Sequence, residues 1–330
     1  MARPLRSARR ILVTGAGGFV GSHLVEHLLE LGCRVRAMVR YRSDGSRGWL
    51  DGIDDARGLE VVAGDVRDHD TTLAAVQGCD VVFHLAALIG IPYSYVAPLA
   101  YVRTNVEGTL NVLEAARAHG VERVVVTSTS EVYGTARRVP IDETHPVRPQ
   151  SPYAASKAGA DELALSFHRS FGLPVAVARP FNVYGPRQSD RAIVPAIATQ
   201  LLAGGPVRLG NLAPTRDFTW AGDTASAFAA IAGSDALVGE VANVGSGAEM
   251  SIGALAELLG RLAGREVRVV HDPARMRPAA SEVDRLCCDS SKLASLTGWR
   301  PGVPFEDGLR RTLDWIAPRL SRYRVGEYRL

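Results

Sequence analysis

Residues 11–32 read ILVTGAGGFVGSHLVEHLLELG, and this stretch decides the fold. Ile11 to Thr14 form a short, β-rich apolar run that stops in glycines. Ser22 to Leu31 then space their apolar side chains at helical intervals, and Gly32 supplies the residue on which such a helix ends. Working outward, the same alternation repeats. VRAMVR (35–40), LEVVAGD (59–65), DVVFHLAA (80–87), RVVVTSTS (123–130) and PVAVARP (174–180) are apolar runs, separated by helical stretches such as TNVEGTLNVLEAARAHG (104–120) and YAASKAGADELALSFHRSFG (153–172). Apolar strands spaced by helices predict a parallel sheet with crossover connections, so the expected class is α/β with a doubly wound sheet. After Pro180 the rhythm is less regular. Residues 1–180 are expected to form the nucleotide-binding domain, and residues 181–330 mainly a smaller lobe over the C-terminal strand ends, with EVANVGS (240–246) a candidate to return to the sheet.

Composition narrows the function. With 46% hydrophobic residues the chain is not disordered. Its 38 basic and 35 acidic side chains are interspersed and leave +3, so no polycationic stripe marks a nucleic-acid partner. No apolar window reaches membrane-spanning length, and the opening MARPLRSARR has no hydrophobic signal core, so the reading is cytoplasmic and not membrane-bound. Cys33, Cys79, Cys287 and Cys288 have neither zinc spacing nor disulfide density, and no metal is expected. Only Lys157 and Lys292 are lysines; every other basic residue is arginine.

The glycines of TGAGGFVG (14–21) sit where the first strand becomes the first helix. Gly15 allows a tight turn, Gly18 lets backbone approach a pyrophosphate, and Gly21 allows close helix–strand contact, while Phe19 and Val20 open a helix whose N–H groups face the phosphates. This predicts an NAD or NADP site. No acid follows the second strand until Asp44. Arg40 and Arg42 stand there instead, which suits a 2′-phosphate and tilts the reading toward NADP, although two solvated arginines at a strand end fit the same residues. Asp65, followed by Val66, is placed to reach the adenine amine or to close a surface turn, and Leu85, Ala86 and Ala87 end the fourth strand beside the glycine loop.

Tyr153 and Lys157 lie four apart in a predicted helix and project from one face. An ammonium beside a phenol favours the phenolate and makes a usable base. Upstream, Thr127-Ser128-Thr129-Ser130-Glu131-Val132-Tyr133-Gly134 ends the fifth strand in hydroxyls able to hold a substrate oxygen.

Together with RPFNVYGP (179–186) and TRDFTWAGD (215–223), these motifs make the chain from Ile11 to about Ile316 resemble an extended short-chain dehydrogenase/reductase of the nucleotide-sugar epimerase/dehydratase family, most similar to UDP-N-acetylglucosamine and GDP-mannose 4,6-dehydratases. The resemblance implies a tightly bound cofactor, regenerated in each cycle, that exchanges hydride with the sugar C4. It also implies that Tyr153 takes the O4 proton with the help of Lys157 and Thr129, and that Glu131 removes the C5 proton of the resulting ketone. Water then leaves C6, and the hydride returns there. dTDP-glucose dehydratases resemble this chain less at one point, because they carry T-D-E where it has Thr129-Ser130-Glu131. The proton for the leaving hydroxyl then falls to Ser130, a water or Glu131.

UDP-glucuronate decarboxylases share T-S-E-V-Y-G and remain an alternative, as does a 4-epimerase. PYSYVAPLAYVRTN (92–105) tilts the reading toward dehydration of a UDP-sugar such as UDP-N-acetylglucosamine. A silent NAD(P)-binding regulator is the alternative of another class, although such proteins usually lose the Tyr/Lys pair. The resemblance further implies substrate contacts from Asn182, Arg216 and Arg277, with Ser94 as a candidate for the sugar, and a homodimer through the helices holding 104–118 and 153–168.

Overall fold

The computed structural model describes Leu5 and residues 9–53 and 58–328. Seven strands form one parallel sheet: β1 (Arg10–Thr14), β2 (Arg34–Val39), β3 (Leu59–Ala63), β4 (Val81–His84), β5 (Arg123–Thr127), β6 (Val175–Pro180) and β10 (Val241–Val244). Their order across the sheet is β10-β6-β5-β4-β1-β2-β3, so the direction of winding reverses between β1 and β4. A reversal of this kind opens a crevice at the carboxyl ends of the strands, where open α/β sheets bind ligands.

The sheet is buried on both faces, as continuous apolar strands require. One face carries α1 (Phe19–Glu30) packed on α8 (Ala221–Ala232), with Ile11, Val13, Leu24, Leu28 and Phe228 fully buried between sheet and helices. The other carries α2 (His69–Val76), α5 (Gly108–Ala118) and α6 (Pro152–Phe171) over Leu12, Val82, Val124 and Val126. Ahead of α5 come two short helices, α3 (Ile91–Val96) and α4 (Pro98–Tyr101), and a π-helical turn over Val102–Glu107. The stretch predicted helical over 104–118 is helical throughout, its first turn wound as a π-helix that continues directly into α5.

A separate core lies under α7 (Ile193–Leu202), α9 (Ile252–Ala263) and α11 (Phe305–Ile316), joining Ile197, Leu255, Leu259 and Leu309. Beside it, β7 (Asn182–Tyr184), β9 (Thr215–Trp220) and β11 (Glu249–Ser251) make a three-stranded sheet, and β8 (Val207–Leu209) pairs with β12 (Val269–His271). The segment at 241–244 does return to the large sheet, pairing with β6 as its edge strand.

Candidate active site

The glycine turn is built for close backbone approach. Gly15 has φ +68°, and a Cβ placed there would lie 2.8 Å from the Ala86 backbone nitrogen; a Cβ on Gly21 would lie 2.3 Å from the Gly15 carbonyl oxygen. No side chain fits either point. Gly18 caps the N-terminus of α1 and is exposed, which leaves the first helical N–H groups open to an anion. Thr14 ties the two strands at the crevice together. Its Oγ1 accepts from the backbone N–H of Leu85 and of Ala86, each at 3.1 Å, and donates to His84 Nδ1 at 2.9 Å.

At the end of β2 the structure qualifies the arginine reading. Arg42 is held by Asp44, with Nη2 to Oδ2 at 2.8 Å, and both side chains are half exposed, while Arg40 is exposed. Asp65 is paired with Arg67 at 2.5 Å, which, with a backbone N–H from the same residue, holds its carboxyl below the usual range. Val66 is buried against Gly108 at the start of α5.

The reacting groups meet beyond β5. Thr129 is extended and caps a single 3₁₀ turn, Ser130–Tyr133, by accepting the Glu131 N–H at 3.2 Å. This turn buries Ser130 and Glu131 together. Helix α6 begins with Ser151, which accepts the Ala154 N–H at 3.1 Å, followed by Pro152 at its first position. It ends on left-handed Gly172. Tyr153, Lys157 and Asp161 therefore recur every fourth residue along one buried face.

Tyr153 lies near Thr129 and within electrostatic reach of Glu131. Its ring meets Tyr101 edge-on at 6.2 Å. Burial pushes the Tyr153 phenol well above the usual range, with Thr129 opposing and Glu131 adding to the rise. Burial likewise brings Lys157 down to about 8, opposed by Asp161. This differs from the simple expectation that the ammonium lowers the phenol's pKa. For both groups burial is the largest cause and it favours the uncharged form.

Opposite Tyr153, Glu131 also acts on Arg216, which is 5% exposed. Arg216 Nη2 and Arg277 Nη1 converge on Glu282 Oε1 at 3.6 and 3.7 Å, so the two arginines expected to hold a diphosphate share one anionic point. Asp217 anchors this wall: buried on β9, its carboxylate accepts N–H groups from Ser246, Gly247 and Cys288. Asn182 lies half-buried on β7. Ser94 is fully buried and its hydroxyl donates to the Ile91 carbonyl at 2.6 Å, a contact within its own helical turn.

Four residues of this neighbourhood were not singled out from sequence: Asp161, Arg179, Tyr133 and Asn243. Arg179 Nε and Nη2 reach Asp161 Oδ2 at 3.0 Å, Arg179 Nη1 reaches the Tyr133 hydroxyl at 3.1 Å, and that hydroxyl donates to Asn243 Oδ1 at 2.7 Å. The only sequence signal was periodic: Asp161 continues the Tyr153–Lys157 spacing, and an acid at such a position in a buried helix face requires a partner.

The GDP-mannose 4,6-dehydratase family pattern matches residues 12–312. The chain belongs to the nucleotide-sugar dehydratase and epimerase family. A dTDP-glucose 4,6-dehydratase of Streptomyces antibioticus is 38% identical over 310 residues, 92% of this chain and 91% of its own. A UDP-glucose 4-epimerase of Mycolicibacterium smegmatis is 37% identical over 314 residues, 93% and 98% of the two chains. The solved structure of a dTDP-glucose 4,6-dehydratase from Streptomyces venezuelae with NAD bound superposes with a TM-score of 0.87 at 34% identity, covering 96% of this chain and 99% of that one. This member of the family shares the seven-stranded Rossmann-like architecture and is an enzyme of its dehydratase/epimerase class. Among its described residues no helix is long and apolar enough to cross a membrane.

Proposed function

We propose that this dehydratase/epimerase-family enzyme is a nucleotide-sugar 4,6-dehydratase. The observation that carries the reading is the place of Glu131: a buried carboxylate on the turn after β5, within electrostatic reach of both Tyr153 and Arg216. An epimerase needs a proton acceptor at O4 only, whereas dehydration needs a second base for the neighbouring carbon. Tyr153 acts as the base in its phenolate form, which accepts the O4 proton with Thr129 beside it, and the charge of Lys157 on the same helix face is what would favour that phenolate once the ligands are in place. Glu131 then accepts the C5 proton, which the C4 ketone makes acidic. Ser130, buried on the same turn, and Glu131 itself are the groups within the chain that could pass a proton to the departing C6 hydroxyl.

The positive φ at Gly15 and the absence of room for a Cβ there suit a dinucleotide backbone across the glycine turn, with Leu85 to Ala87 and Val66 lining its adenosine and nicotinamide halves. A dinucleotide held there would supply the hydride acceptor for C4 and the donor that restores hydride at C6. We favour NAD over the NADP to which the sequence tilted, because Arg42 is already paired with Asp44. Arg216 and Arg277 would exchange Glu282 for the substrate diphosphate. The similar proteins are named for dTDP-glucose and UDP-glucose, so dTDP- and UDP-sugars are the first substrates to try. A homodimer is consistent with α4, the π turn and α6: Leu99 on α4 and Val102 on the π turn are exposed, and α6 offers exposed Ala155 and Gly159, small enough for close approach.

Mass spectrometry after incubation with dTDP-glucose, UDP-N-acetylglucosamine, GDP-mannose and UDP-glucuronate tests the reading. Loss of one water from any of the first three is expected, and loss should stop in Glu131→Gln. Isobaric conversion, release of carbon dioxide, or a Glu131→Gln enzyme dehydrating at the unmodified rate would overturn it.

A further inference from the structure

Asp161 stands one helical turn beyond Lys157 and is fully buried. Its Oδ2 accepts Ser128 Oγ at 2.7 Å and Arg179 Nε at 3.0 Å, while Oδ1 is buried with no hydrogen-bond partner among the described residues. A carboxylate that served only to neutralise Arg179 would present both oxygens to the guanidinium fork. Here Arg179 is braced from behind, by the Tyr133 hydroxyl at 3.1 Å and by the Tyr133 ring 5.0 Å below its guanidinium carbon, and it engages one oxygen alone.

We propose that Asp161 is a positioning residue for Lys157: its buried carboxylate, gripped by Ser128 and Arg179 one helical turn away on the same buried face, keeps the lysine ammonium charged through space, without an ion pair to it. Other groups facing this point do not do so. His84 on β4 is neutral and is itself acted on by Lys157; Tyr153 on α6 and Tyr101 on α4 are protonated phenols; Glu131 acts on Tyr153 from the turn after β5; and Arg179 on β6 has the wrong sign. Asp161 is the group that opposes the loss of the Lys157 proton on burial. Removing its charge while keeping its shape should release the proton at lower pH.

The sequence makes the test direct. Lysine occurs only at 157 and 292, so lysine labelled at Cε and Nζ gives two side-chain resonances, which Lys292→Arg assigns. In the unmodified protein the Lys157 signal is expected to titrate near pH 8. In Asp161→Asn the midpoint should fall by on the order of one pH unit, and Asp161→Glu should restore it. Asp161→Asn leaves Arg179 buried without a counter-charge and could unfold the protein. Asp161→Asn with Arg179→Gln removes both charges together and should still titrate below the unmodified protein. An unchanged midpoint in Asp161→Asn, or a return to the unmodified value in the double variant, would show that the carboxylate serves Arg179 alone. The alkaline limb of kcat should move with the midpoint while KM stays constant, and for that readout the inference rests on the dehydratase reading. The resonance does not: an enzyme inert toward every sugar nucleotide would overturn the reading and leave the titration intact.

Discussion

The Tyr95 hydroxyl lies 2.6 Å from Ser281 Oγ, joining α3 to the loop that carries Arg277 and Glu282. Ser281 already donates to the Gln150 carbonyl at 2.6 Å, so Tyr95 is the donor in this pair. Gln150 completes the bracket, accepting the Thr135 N–H and donating to the Ala280 and Glu282 carbonyls at 3.0 and 3.2 Å. The loop with Arg277 and Glu282 is therefore fastened from the Rossmann side of the crevice.

Tyr95→Phe should loosen that fastening without touching the reacting groups. Steady-state kinetics should show KM for the sugar nucleotide rising several-fold, in line with one lost hydrogen bond of about 1 kcal/mol, with kcat nearly constant. A fall in kcat alone would place Tyr95 in the chemistry instead.

Arg216→Lys keeps a positive charge and loses the fork. Because Arg216 is buried and converges with Arg277 on one point, the substitution should weaken substrate binding by roughly 10- to 100-fold, the loss of a charged hydrogen bond worth about 1.5–3 kcal/mol. Titration calorimetry with a nucleoside diphosphate checks this. Arg277→Lys, at a half-buried position, should cost less.

Gly15→Ala places a Cβ against Ala86 in a left-handed conformation. Strain of about 1–3 kcal/mol should lower Tm, and the protein should retain less NAD on purification, read as absorbance. Equal NAD retention would mean that the turn does not approach the dinucleotide.

His84 sets an acid limit on stability. Thr109 Oγ1 spends its proton on the Asn105 carbonyl, so His84 Nε2 donates to it at 3.0 Å and Nδ1 accepts from Thr14. Burial, with Lys157 adding to it, lowers the imidazole pKa to about 3 from the usual 6.5. The unfolded chain binds this proton below about pH 6.5 and the folded chain does not. Stability should therefore fall as pH drops from about 6.5 toward 3, by about 1.4 kcal/mol per pH unit at most from this group. Thermal denaturation between pH 7 and 4 should show a shallower decline in His84→Gln than in the unmodified protein, from a lower starting point.

Much of this could be seen in local sequence because its cause is local. Gly15, Gly18 and Gly21 are separated by the turn they make, and Tyr153 and Lys157 share a helix face by spacing alone. The π winding at Val102–Glu107 could not be read that way, since the apolar spacing continues through it. Arg42 read as a free cation because its salt bridge to Asp44 depends on how the chain turns after β2. The bond from the Ser94 hydroxyl to the Ile91 carbonyl was likewise invisible in the sequence, because it depends on the short helix α3 forming there.

By itself the sequence determined a parallel α/β sheet, a glycine turn at its first strand and a phenol–ammonium pair on one helix, all set by spacings of a few residues. The tertiary structure alone decided which charges face one another. Asp161 meets Arg179, and Glu131 comes within electrostatic reach of Tyr153 and Arg216, across separations of 18 to 85 positions. Those encounters follow from the winding of the sheet. Burial then set the proton affinities, because removing water acts on whatever groups the fold encloses and leaves no trace in residue order.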